Sequence, residues 1–303
     1  MKNILLLNID SKLPNIALHK IAMWHKQQGD NVIWDMPIML MDVDKVYISC
    51  IFTKNRYKVD NYVGLRPDVI AGGTGYDLSI KLPDEIDSMK PHINYGFTLR
   101  GCFRKCPPCL VWRAEGGLKV VGDTYDVWDG NNKWIILYDN NPTAIFEHFK
   151  LICKQTIKEN IAVDWNQGMD IRILNHRIIR LLNEVKLKCG VRFAFDYPEL
   201  EPIIREKVAM LRQYYRRKYI FFYVLIGYNT TFEQDLHRLN VLKELGCRPY
   251  VMRHENTPKE RRYIRLAEWA NQFWTFAKYD FKTFCKEYDN SHKRGRITLW
   301  RGG

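Results

Sequence analysis

The residues best suited to chemistry are Cys102, Cys106 and Cys109, spaced C-x3-C-x2-C within Arg100-Gly101-Cys102-Phe103-Arg104-Lys105-Cys106-Pro107-Pro108-Cys109. Three thiols this close, in a chain expected to be cytoplasmic, point to a metal rather than to disulfides. A structural zinc site takes four protein ligands in paired spacing, and no second pair is present. Iron–sulfur clusters are held by thiolates at such tight spacing, and three thiolates leave one iron of a four-iron cluster open to a further ligand. Zinc completed by a distant His or Cys is the competing expectation. The other five cysteines, Cys50, Cys153, Cys189, Cys247 and Cys285, stand singly in apolar or helical runs and read as small buried hydrophobes.

The loop needs elements to carry it. Residues 3–9, 31–34, 45–51 and 68–71 read as short strands, with a helix over 15–28 that stops at Gly29. A charged, Pro-containing stretch from Lys81 to Pro91 reads as a linker. The alternation then restarts. Strands are expected at Tyr95–Leu99, Trp134–Tyr138, within Ala162–Leu174, and at Val191–Phe195, Tyr219–Ile226 and Arg248–Met252. Helices are expected over Thr143–Glu159, Asn175–Lys188, Pro202–Arg216, Thr231–Leu245 and 258–277. Six strand–helix units are too few for an eight-stranded barrel and suit a partial one.

With the cysteine loop directly after the strand Tyr95–Leu99, the sequence resembles the radical S-adenosylmethionine superfamily over most of residues 94–277. The resemblance implies an α/β fold: a partial (β/α)6 barrel over 91–256, preceded by a small Rossmann-like parallel-sheet domain over 1–90 and followed by a basic helical extension over 257–303. It implies that Cys102, Cys106 and Cys109 ligate three irons of a 4Fe-4S cluster. The amine and carboxylate of S-adenosylmethionine (SAM) would chelate the fourth iron, and reductive cleavage would give a 5′-deoxyadenosyl radical that abstracts hydrogen from a substrate. A reducing partner of the flavodoxin or ferredoxin type is implied as well. The residue before the last cysteine is usually aromatic in the family; here it is Pro108, so the family's adenine contact does not carry over.

Ligand groups of a parallel barrel sit at the carboxyl ends of its strands. The second strand runs into Asp139-Asn140-Asn141, where Asp139 and Asn140 resemble a substitute for the superfamily's polar motif, and Asn141 suits a helix cap before Pro142. The third carries Gln167, Asp170 and Arg172. Asp170 and Arg172 are expected on one strand face at i, i+2, where a ribose hydroxyl and a methionyl carboxylate would satisfy them; a mutual salt bridge is the competing expectation. Asp196 ends the fourth strand and suits a turn cap at Pro198. Gly227 ends the fifth, where it permits close approach of a ligand or serves a turn.

Residues 1–80 resemble the cobalamin-binding module that precedes many such barrels, through the opening strand, the Pro14-Asn15 helix entry and the turn Ala71-Gly72-Gly73-Thr74-Gly75. The D-x-H-x-x-G loop is absent, and a shortened, cobalamin-free remnant is expected. The tRNA methylthiotransferases, similar around Cys109–Gly117, carry further cysteines in an N-terminal domain, where this chain has Cys50 alone.

Composition sets the outer bounds. The chain has 303 residues, is 46% hydrophobic and 13% aromatic, and carries 47 Lys+Arg against 34 Asp+Glu for a net charge of +13. It can bury a large core. No apolar run approaches the roughly 18 residues of a membrane helix. The apolar opening residues lack a small-residue cleavage site and read as a buried strand, so a cytoplasmic location is expected. Residues 201–303 hold 21 of the Lys+Arg and 11 of the Asp+Glu, which suggests an anionic partner. The aromatic–cation runs Tyr214-Tyr215-Arg216-Arg217-Lys218 and Arg261-Arg262-Tyr263 suggest a nucleic-acid or nucleotide substrate. Two other functions stay open: a cobalamin-dependent radical SAM methyltransferase, and a non-catalytic, metal-stapled nucleic-acid-binding protein.

Overall fold

The computed structural model describes residues 1–217 and 219–293, without the side chains of 288–293. The chain forms two compact units, Met1–Tyr138 and Asp139–Gly303. The expected segment boundaries at 90/91 and 256/257 fall inside these units.

The first unit opens with β1 (Asn3–Asn8), α1 (Ile16–Gln27), β2 (Asn31–Trp34), β3 (Lys45–Ser49), α2 (Arg56–Leu65) and β4 (Ile70–Gly72). The four strands are parallel, in the order β2-β1-β3-β4. Helices cover both faces, so β1 is apolar throughout: Ile4 and Leu6 pack with Leu18, Ile21 and Ala22 of α1, and Leu5 and Leu7 with Val46, Ile48 and Val59. Asn15 caps α1, accepting from the Leu18 N–H at 3.2 Å.

The expected linker contains a turn of helix, α3 (Asp84–Asp87). The expected strand Tyr95–Leu99 is split. β5 (Tyr95–Gly96) pairs in parallel with β8 (Trp134–Leu137). β6 (Leu99–Arg100) instead pairs antiparallel with β7 (Lys119–Val120). The split arises because the chain changes partners at Thr98, whose C=O accepts from the Val121 N–H at 2.9 Å. Between β6 and β7 lie the cysteine loop and α4 (Val111–Ala114); α5 (Thr124–Val127), with an Asp123 capping box, leads to β8.

The second unit contains α6 (Phe146–Lys158), β9 (Ala162–Trp165), α7 (His176–Glu184), β10 (Lys186–Leu187), β11 (Val191–Ala194), α8 (Glu201–Tyr214), β12 (Ile220–Ile226), α9 (Phe232–Glu244), β13 (Arg248–Arg253), α10 (Arg261–Asn271), α11 (Phe273–Lys278) and α12 (Phe281–Lys293). Strands β11, β12 and β13 form one parallel sheet, and β10 pairs in parallel with β9. β9 and β11 are also joined, by the Met169 N–H to the Arg192 C=O (2.8 Å) and by an Arg192–Asp164 ion pair. Consecutive parallel strands linked by helices follow the expected α/β alternation. On β12 the alternate residues Ile220, Phe222, Val224 and Ile226 are fully buried. The helix expected over 258–277 is split into α10 and α11, and α12 follows it. The expected anionic-partner residue Lys218 and the last ten residues of the basic extension lie outside the described residues. Among the described residues no helix is long and apolar enough to cross a membrane.

Candidate functional site

In the first unit, the β6–β7 pair clamps the base of the cysteine loop. Gly101 has φ +76°, and a Cβ there would meet the Gly117 carbonyl oxygen at 2.0 Å, so a side chain is excluded. The Arg100 guanidinium grips Glu115 with two hydrogen bonds of 3.2 Å, and Glu115 also accepts from the Gly101 N–H at 3.2 Å. The Cys102 N–H donates to the Gly116 C=O at 3.2 Å. The Trp112 indole N–H donates to the Cys106 C=O at 3.0 Å, and the Cys109 N–H closes a turn onto the same carbonyl at 3.0 Å. The Arg104 N–H points at the Cys102 sulfur, 3.3 Å away.

Cys102, Cys106 and Cys109 are all half-buried and form no disulfide. As a donor set they suit an iron–sulfur cluster. Among the described residues no three Cys, His, Asp or Glu side chains gather closely enough to hold one single metal ion; in a four-iron cluster each thiolate would bind a different iron. Cys50, Cys153 and Cys247 are buried, as expected of packing residues; Cys189 is exposed and Cys285 half-buried. Burial pushes the Cys50 and Cys247 thiols up to about 11, so both stay protonated and unreactive at neutral pH.

The chain matches no protein-family model and no curated protein.

In the second unit the strand-end residues divide. Asp139 and Asn141 are buried and Asn140 half-buried, directly after β8. Asn141 does not cap a helix from Pro142. Its C=O closes a turn with the Ala144 N–H at 3.0 Å, and α6 begins only at Phe146. Gln167 is exposed in a turn after β9. Asp170 and Arg172 do not share a strand face, because Gly168, at φ +87°, ends the extended run and residues 171–173 form a 3-10 turn. Asp170 caps that turn through the Arg172 N–H and pairs with the Arg172 Nε at 2.6 Å. The salt bridge, weighed against separate ligand roles, is therefore present. Gly227, at φ +72°, does make a close approach, but to Thr257: a Cβ would lie 2.5 Å from the Thr257 Oγ1. Its N–H is taken by Asp235 at 2.9 Å.

Sequence reading missed the group that holds these strand ends. Arg238 and Asp235 on α9 are both fully buried. The Arg238 guanidinium donates to Asp235 (2.5 Å), to the Leu225 C=O (2.8 Å) and to the Phe195 C=O. One residue beyond Phe195, Asp196 accepts from the Leu225 N–H at 2.9 Å. Burial raises the Asp196 carboxyl above its ordinary value, against the lowering pull of that N–H, Arg238 and Arg172. The available signal was an i, i+3 acid–base pair on the apolar face of a helix.

Some of the groups singled out for nucleic-acid contact are engaged within the chain. Tyr215 and Tyr263 are buried. Arg217 donates to the Val185 C=O, and Arg262 pairs with Glu260 at 2.7 Å. Tyr214, Arg216, Arg261 and Arg262 are exposed.

At the carboxyl ends of β1 and β3, where the strand order reverses and open α/β sheets commonly bind ligands, the chain's own groups meet. Asp10 accepts from the Ile51 N–H (2.9 Å), the Phe52 N–H (2.9 Å) and the Asn55 amide (3.0 Å). Gly73 lies against Cys50, where a Cβ would sit only 2.3 Å from the Cys50 carbonyl oxygen.

Proposed function

We propose that the chain is a radical S-adenosylmethionine enzyme. The observation that carries this is the C-x3-C-x2-C loop, whose thiols form no disulfide. It follows the parallel strand β5 and leaves directly from the short antiparallel strand β6. Donor type and spacing support a 4Fe-4S cluster. When bound, the cluster and S-adenosylmethionine supply the one-electron chemistry; the chain's own part is to present the three thiols on a clamped loop. Electrons would come from a flavodoxin- or ferredoxin-type donor, for which dithionite substitutes in an assay. For the substrate, the positive balance of residues 201–303 and the exposed Arg216 and Arg261 support an anionic class such as a nucleotide or nucleic acid.

Anaerobic reconstitution with iron and sulfide tests the reading, followed by an assay for 5′-deoxyadenosine with S-adenosylmethionine and dithionite. About four irons and matching acid-labile sulfide per chain are expected, with deoxyadenosine formation lost in Cys106→Ala. One zinc per chain, or turnover that survives Cys106→Ala, overturns it.

A further inference from the structure

Several arginines of the second unit direct their guanidinium groups to oxygen: Arg192 to Asp164, Arg212 to the Leu245 and Gly246 C=O, and Arg238 to Asp235 and two further carbonyls. Arg248, at the start of β13, is held differently. Its guanidinium carbon lies 3.5 Å from the centre of the Tyr219 ring and 3.6 Å from that of Phe273, the first residue of α11, with the Phe221 ring 5.6 Å away. Among the described residues no hydrogen bond or ion pair meets this guanidinium, and its Nε is buried without a partner. The corner is tightly built. Phe221 pairs in register with Arg248, and at Gly190, just before β11, a Cβ would sit 2.4 Å from the Tyr219 carbonyl oxygen. The row of planar groups then runs out into solvent. The Trp274 ring lies 5.3 Å from that of Phe273 and is 82% exposed, while Tyr219, at the other end, is 43% exposed.

We propose that this row, Tyr219, Arg248, Phe273 and Trp274, is a docking site for a single-stranded nucleic acid, in which an unpaired base stacks on Trp274 and a neighbouring backbone phosphate takes the Nη groups of Arg248. It rests on the anionic substrate class proposed above, and not on the radical chemistry. Two rings against the faces of a guanidinium leave its edge, where all the N–H donors point, as the place for a hydrogen-bonding partner. No carboxylate of the described residues fills that place, so the complement is an anion, and the planar fork of a guanidinium matches phosphate oxygens. An indole left 82% exposed adds little to the core, whereas every base has a face that can stack on it. A strand with unpaired bases supplies both the face and the phosphate. A duplex keeps its base faces within its own stack. A second copy of this chain, at a net charge of +13, brings like charge to the same corner.

The test is fluorescence anisotropy of the full-length chain with labelled oligouridylate and oligothymidylate of about twelve nucleotides, compared with a mixed-sequence duplex of the same length. Both single strands are expected to bind, and the duplex about 10-fold more weakly or worse. Trp274→Ala is expected to weaken single-strand binding about 5- to 150-fold, the worth of one stacked base, at unchanged circular dichroism and unfolding midpoint. Arg248→Met is expected to lower the slope of log affinity against log salt by about one, the signature of one lost phosphate contact. If Arg248→Met does not fold, Trp274→Ala decides alone. Duplex binding as tight as single-strand binding overturns the site, as does wild-type affinity in Trp274→Ala. Self-association of the wild type that Trp274→Ala abolishes, with no oligonucleotide bound, overturns it in favour of a second copy. The levels stay separable. Single strands that bind indifferently to Trp274→Ala remove this site and keep the anionic class, and no binding at all removes both. Iron and sulfide analysis decides the radical reading independently of either result.

Discussion

Arg238→Met addresses the group that locks the strand ends of the second unit. In the wild type the guanidinium, with no exposed surface, bonds Asp235, the Leu225 C=O and the Phe195 C=O. Methionine fills similar apolar volume but donates nothing. Asp235 is left as a buried carboxylate whose remaining hydrogen bond comes from the Gly227 N–H, and two main-chain carbonyls lose a donor. Breaking a buried pair in this way costs about 3–5 kcal/mol. With a urea dependence of about 2 kcal/mol/M, the unfolding midpoint falls by roughly 2 M. Amide exchange should accelerate first at β11 and β12.

The double variant Asp235→Leu/Arg238→Met separates charge balance from clamping. If the pair merely neutralised itself, its apolar replacement would be neutral or stabilising. Here the Gly227 N–H and the two carbonyls still lose partners, at about 1–3 kcal/mol for each group left unsatisfied. The double variant should therefore stay at least about 2 kcal/mol below wild type. A single variant within about 1 kcal/mol of wild type, or a double variant restored to wild-type stability, refutes the clamp.

Asp196→Asn should gain stability relative to wild type as pH rises. The folded-state carboxyl is raised above its ordinary 3.8, so the folded chain holds a proton that the unfolded chain has lost. Wild-type stability accordingly declines from about pH 4 upward through the folded value, a decline the asparagine lacks. Urea unfolding at pH 4 and pH 7 checks this, and an advantage larger at pH 4 contradicts it. His25→Phe removes the partner of Asp30 (2.8 Å) and of the buried Tyr47 hydroxyl (3.1 Å); the unpartnered hydroxyl alone costs about 1–3 kcal/mol. The His25 bond is the main cause that lowers the Asp30 carboxyl, and its stabilisation is present above the ordinary 3.8 and lost as pH falls below it. The His25→Phe defect in thermal unfolding should therefore shrink in acid, and a defect that grows in acid counts against the pairing. Gly101→Ala should abolish metal uptake while leaving most of the circular dichroism intact, because its methyl group collides with the Gly117 carbonyl beneath the loop. Undiminished iron uptake by that variant would show that the base of the loop can shift.

Much of the fold was legible because it depends on local pattern. The all-apolar run Ile4–Leu7 requires burial on both faces, which only a central strand between helices provides. Thr231 with Gln234 forms the capping box that starts α9, and Gly246, at φ +64°, lies just beyond its end. The misreadings occurred where a residue's partner is distant in sequence. The strand expected to reach Leu99 breaks because Thr98 bonds Val121. The strand face expected to carry Asp170 and Arg172 is lost because Gly168 turns the chain and the two residues satisfy each other.

The same division holds for the candidate site. Sequence by itself determined the chemistry on offer: three thiols at C-x3-C-x2-C spacing beside a strand, a property of composition and order along the chain. Only the tertiary structure decided how those thiols are held, which cations are spent on carbonyls and carboxylates, and that Asp235 and Arg238 lock β11 to β12. Each of these depends on groups separated by many residues meeting within hydrogen-bond reach, and burial then makes an unmet partner costly. Local periodicity carries no record of such meetings, so the sequence indicated what could react and the packing determined what is free to do so.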